Sequence, residues 1–193
     1  MRRRGLLLLA VNVVTTVAIL LLLYALAPTR RAQGADTNAR WSRADLPVQV
    51  LVAPEALDHH GSIARAVLIV NRACSCELLA FPVPASLVYV KDWSRGGHGI
   101  RGTILVRADG EAEPPRAHAE PSFSRPGRLY AVLITLPRAR LPEWIVRGMI
   151  LHEAMHAAGL LRHSDDPGSV MFMAVLPGQR VQRMERAFLR DYQ

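Results

Sequence analysis

The chain has 193 residues, 50% of them hydrophobic and 21% charged, which suits one ordinary domain with a real core plus a short appendage and excludes a disordered chain. The formal charge of +8 is uneven: residues 1–43 hold seven arginines against Asp36 alone, while the remainder carries 17 basic and 15 acidic groups. With the basicity concentrated in the N-terminal segment, charge gives no support to a nucleic-acid partner.

In chain order, residues 1–5 form a basic stub, with Arg2, Arg3 and Arg4 ahead of an uncharged apolar run over residues 6–27. Twenty-two helical residues span about 33 Å, the thickness of a bilayer's hydrocarbon core, so the expectation is a transmembrane signal anchor. The compact basic head points to an N-terminus inside and the rest of the chain outside the cytoplasm. Ala25-Leu26-Ala27 also resembles a signal-cleavage site, which Pro28 disfavours; cleavage there would leave a secreted protein. Residues 28–44 are polar and small, as a linker is, which leaves residues 45–193 for the folded domain.

Within the domain, the β-branched run 48–52 between Pro47 and Pro54 predicts a strand. Ile63, Ala66, Val67 and Val70 recur at helical spacing and predict a helix over about 58–73, with Asp58 as its N-cap. Residues 87–90, 104–106 and 129–136 are further strand candidates. Pro142 suits the first turn of a helix ending near Ala158 and closed by Gly159. A last helix is expected over about 179–191, its Arg180, Arg183, Arg186 and Arg190 on a solvated face. The order is that of an α+β fold with a small sheet and late helices. Cys74 and Cys76 are the only cysteines. A bond across one intervening residue is strained, so two buried thiols near a helix end are expected.

The chemistry concentrates on His152-Glu153-Ala154-Met155-His156. Histidines at i and i+4 project from one helical face and chelate one Zn²⁺ through neutral nitrogens. Glu153, beside the first of them, is placed to move the proton of an attacking water without being a ligand. Five residues of this pattern arise by chance in many helices, but here Gly159 allows the chain to turn back and His163 follows as a third imidazole. Ser164-Asp165-Asp166-Pro167-Gly168-Ser169 then forms a turn leading to Val170-Met171. His59, His60 and His98 read as ordinary exposed histidines.

This stretch resembles the metzincin clan of zinc endopeptidases, most closely its matrixin-like members, whose pattern is H-E-x-x-H-x-x-G-x-x-H followed by a Met-turn. His152, Glu153, His156 and Gly159 match in place. The resemblance implies a metzincin-like catalytic domain with a small twisted mixed sheet, an active-site helix, a Met-turn and a C-terminal helix. It implies catalytic Glu153, metal ligands His152, His156 and His163, Met171 in the Met-turn, one catalytic zinc, and a peptide or protein substrate. Ala117-His118-Ala119 looks like the edge strand that receives substrate in matrixins, with His118 expected to bind no metal.

The sequence departs from the pattern by one residue: Arg162, a permanent cation, occupies the usual third-ligand position and His163 follows it. Either the bend at residues 160–162 absorbs the insertion, or Asp165 or water takes the place of His163. The place of the tyrosine that binds zinc in some clan members is Met173. No cysteine lies in residues 28–44, so a cysteine-switch propeptide is not expected. Calcium dependence and oligomeric state are not legible. Two rival readings stand beside the endopeptidase: an inactive zinc-binding module, and a metal-free interaction domain.

Overall fold

The structure, a computed structural model, describes residues 38–86, 90, 93, 99–109 and 115–193. Strands β1 (Gln49–Val52), β2 (Val83–Pro84), β3 (Thr103–Ala108), β4 (His118–Arg125) and β5 (Arg128–Leu136) form one sheet in the order β2-β1-β3-β5-β4. β1 runs parallel to β2 and β3, β3 is parallel to β5, and β4 closes the edge antiparallel to β5. Helices α1 (His60–Cys74), α2 (Glu143–Ala157) and α3 (Arg183–Arg190) complete a mixed α+β fold.

The sequence explains the placement of the strands. β3 and β5 are almost continuous apolar runs, as strands covered on both faces must be. On one face Val50, Ile104, Val106 and Ile134 pack against Ile63, Ala66 and Val67 of α1 and Ile150, Ala154 and Ala157 of α2. On the other, Leu105 and Ala131 pack with Ala53, Ala85 and Trp93. Gly99 at φ +74 lies so close under the Trp93 ring that a side chain there would collide with it. β4 is polar, half-exposed and carries Pro121, which has no N–H for a second ladder; an edge is where such a strand belongs.

Several expectations are corrected. Helix α1 begins at His60, because Pro54–His59 forms a 3-10 turn that absorbs Asp58. Pro142 caps α2 from outside instead of entering its first turn, and α3 starts at Arg183 behind a Gln182–Glu185 capping box. Of the expected strand at 87–90, residues 87–89 lie outside the described residues, and Val90, helical and not extended, donates to the Ser86 carbonyl. Cys74 and Cys76 are joined in a disulfide instead of standing as two thiols. Ser75, left-handed at φ 58 after α1, brings their Cα atoms to 5.1 Å, within the span of that bond.

The linker expected over 28–44 is not free at its end: Ala39 and Trp41 are buried in the main core. Among the described residues no helix is long and apolar enough to cross a membrane. The expected transmembrane signal anchor is corrected to that extent; its span, residues 6–27, lies outside the described residues.

Candidate metal centre

Helix α2 carries His152, Glu153 and His156 on its last turns, with His152 and Glu153 buried and His156 half-buried. Its end is a Schellman turn: the Gly159 amide donates to the His156 carbonyl and the Leu160 amide to the Met155 carbonyl. Gly159 has φ +104, and a Cβ there would overlap the Ala39 carbonyl oxygen. The Ala157 carbonyl accepts from Trp41 Nε1 at 2.8 Å, and the Ala158 carbonyl from the Tyr192 hydroxyl at 3.0 Å. Both ends of the domain thus satisfy carbonyls that a helix terminus leaves without partners.

The turn returns the chain to the helix. His163 Nε2 lies 3.2 Å from His152 Nε2 and 3.3 Å from His156 Nε2, which are 3.0 Å from each other. Residues 160–162 make this return, and the Leu160 carbonyl lies 2.6 Å from His156 Nδ1. The Ser164 amide, donating to the Met171 carbonyl at 2.8 Å, ties the start of the loop to its end. Asp165, the alternative donor, is exposed and outside this group.

Carbonyl oxygens only accept, so the bonds to His156 Nδ1 and, at 2.7 Å, from His152 Nδ1 to the Val170 carbonyl place the ring protons on Nδ1. The Nε2 atoms of His152 and His156 then have lone pairs and no hydrogen to share, despite their 3.0 Å separation. Such a donor set calls for a cation. Nitrogens around a tetrahedral ion at about 2.0–2.1 Å stand about 3.3–3.4 Å apart, close to the spacing found. Among the described residues His152, His156 and His163 form a group of donors able to hold a metal ion.

Electrostatics agrees with that donor set. Burial lowers His152 to about 4 despite its bond to Val170. Burial, helped by the neighbouring His152, lowers His156 to about 3, and burial lowers His163 as well. All three rings are neutral at pH 7, the state a metal requires. Burial pushes the Glu153 carboxyl up to about 8, against a backbone hydrogen bond with Ala119 that pulls it down. Glu153, next to His152 in the helix, thereby reaches edge strand β4.

Met171 is fully buried in the turn, and its amide donates to Ser169 Oγ at 2.8 Å. Ser169 Oγ in turn donates to the buried Glu185 carboxylate of α3, which also caps the Gln182 amide. This chain of bonds holds the segment whose Val170 carbonyl orients His152. Sequence reasoning missed Ser169, Glu185, Trp41 and Tyr192. His118 lies on β4 and pairs with Glu120 Oε1 at 2.8 Å, and His60 Nε2 contacts the Pro82 carbonyl at 3.1 Å. His98 lies outside the described residues.

No protein-family model matches the chain, and no curated protein matches it.

Proposed function

We propose that the domain is a zinc endopeptidase of the metzincin, matrixin-like kind, with His152, His156 and His163 holding one catalytic zinc ion. The observation that carries this reading is the triangle of Nε2 atoms with a buried carboxyl beside it, next to an open sheet edge. When bound, zinc supplies a Lewis acid for the scissile carbonyl and lowers the pKa of a water molecule.

The rest is the work of the chain's own residues. Glu153 accepts the proton of the attacking water and returns it to the leaving amine. With a cation held by the three histidines, the Glu153 carboxyl would shift back from about 8 toward the ionised form that the first transfer requires. Before Pro121, the outer edge of β4 offers backbone donors and acceptors to an extended peptide, which adds as a further strand. Ala119 belongs to that strand and also meets Glu153, so a peptide paired with β4 has its backbone fixed beside the base.

The test is cleavage of a quenched-fluorescence peptide library by the zinc-loaded full chain, with and without chelator. Chelator-sensitive cleavage that disappears in Glu153→Gln, while zinc remains bound, supports the reading. A zinc-loaded wild type that cleaves nothing, or a Glu153→Gln variant with full activity, refutes it.

A further inference from the structure

A second feature lies at the other end of the edge strand. Arg125 on β4 is the cross-strand partner of Arg128 on β5, and Arg128 is bridged in turn by Arg40 on its opposite side. Three arginines therefore occupy one row across three adjacent backbone segments. Directly opposed like charges destabilise a sheet, so the row is not explained by the sheet itself. All three line one cleft of about 640 Å³.

The cleft has more positive charge than its acids neutralise. Arg40 is paired with Asp191 at 2.6 Å and stacks over the Phe188 and Tyr192 rings, and Arg101 is paired with Asp45 at 2.8 Å. The Arg128 guanidinium donates to the Trp41 carbonyl at 3.3 Å and has no ion pair among the described residues. Arg43 and Arg125, which also line the cleft, are exposed and have no ion pair among the described residues. Guanidinium groups present planar forks of donors that match tetrahedral oxyanions two bonds at a time. Arg125 lies six residues along β4 from Ala119, about 20 Å at strand spacing, so this cleft is separate from the histidine cluster.

We infer that the cleft around Arg40, Arg125 and Arg128 is a binding site for a phosphate-class oxyanion, free or carried on a lipid headgroup. The anion is held between the opposed arginines and relieves their repulsion, with Arg43 closing over it. The inference does not depend on the metal reading.

Inorganic phosphate is titrated calorimetrically into the full chain, and into Arg43→Gln/Arg125→Gln. Both positions are exposed and unpaired, so folding is preserved. Saturable phosphate binding by wild type is expected, weakened about tenfold or more for each arginine removed and by added salt. Phosphatidylglycerol vesicles, compared with phosphatidylcholine vesicles, form the second arm, read as the difference between wild type and the double variant. Binding of phosphate alone assigns a soluble ligand; a difference on the anionic vesicles alone assigns a headgroup. The inference is overturned if neither probe binds saturably, or if the double variant binds as tightly as wild type. It is equally overturned if phosphate binding is lost in His156→Ala, which would put the anion at the histidine cluster.

Discussion

Replacing Gly159 with alanine tests how helix α2, which carries the histidine pair, is ended. The position has φ +104, where an L side chain costs about 1–3 kcal/mol. The added Cβ would overlap the Ala39 carbonyl oxygen and stand 3.2 Å from Tyr192 Oη, and relieving such crowding costs about 1–3 kcal/mol more. The neighbour that must move is backbone, and its own amide donates to the Gly159 carbonyl at 2.9 Å, so the strain cannot be shed by rotating a side chain. Together these give a loss of about 2–6 kcal/mol, a large part of a domain's usual stability of about 5–15 kcal/mol. Urea denaturation of the metal-free full chain measures the stability. Zinc affinity should fall as well, since the same turn returns His163 to the helix. A loss below about 1 kcal/mol with unchanged zinc affinity would refute this account of the turn.

Three further perturbations probe the site. At pH 7 zinc binding should release about one proton per ion from Glu153, beside any lost by the bound water, and none from the already neutral histidines. Affinity then rises with pH up to about pH 8, more steeply than in Glu153→Gln; proton release undiminished in Glu153→Gln, by calorimetry in buffers of different ionisation enthalpy, would contradict this assignment. Trp41→Ala should cost about 3–5 kcal/mol in a thermal or urea melt, because it empties a fully buried site and leaves the Ala157 carbonyl without its donor; a cost under 1 kcal/mol would make residues 38–44 the free linker their composition suggests. Ser169→Ala should cost about 1–3 kcal/mol by leaving the Met171 amide and the buried Glu185 carboxylate without their shared partner. Zinc dissociation should also quicken as Val170 loosens against His152, which stopped-flow chelation would detect.

The histidine pair on α2 was legible because helical spacing alone puts residues four apart on one face. The turn at Gly159 was legible for a related reason: few residues other than glycine stop a helix in a left-handed conformation. Where His163 would come to rest was not, because an extra residue can be absorbed or can displace everything after it. The answer lay in the Leu160 and Met171 carbonyls, contacts that no residue type announces. β3 and β5 announced themselves as apolar runs, whereas β4, polar and interrupted by Pro121, revealed only its first residues. The docking of Ala39 and Trp41 on the end of α2 was hidden by their surroundings: a buried tryptophan beside Arg40, Ser42 and Arg43 has the local composition of a linker. Long-range closure by Tyr192 and Glu185 depends on tertiary packing, to which a local pattern is blind.

The most direct measurement is zinc-edge X-ray absorption on the full chain loaded with one equivalent of zinc. Three imidazole nitrogens at about 2.0–2.1 Å, one further light-atom ligand and no sulfur are expected, with one imidazole lost in His163→Ala. Two imidazoles in the wild type, a sulfur ligand, or a spectrum unchanged by His163→Ala would contradict the three-histidine centre.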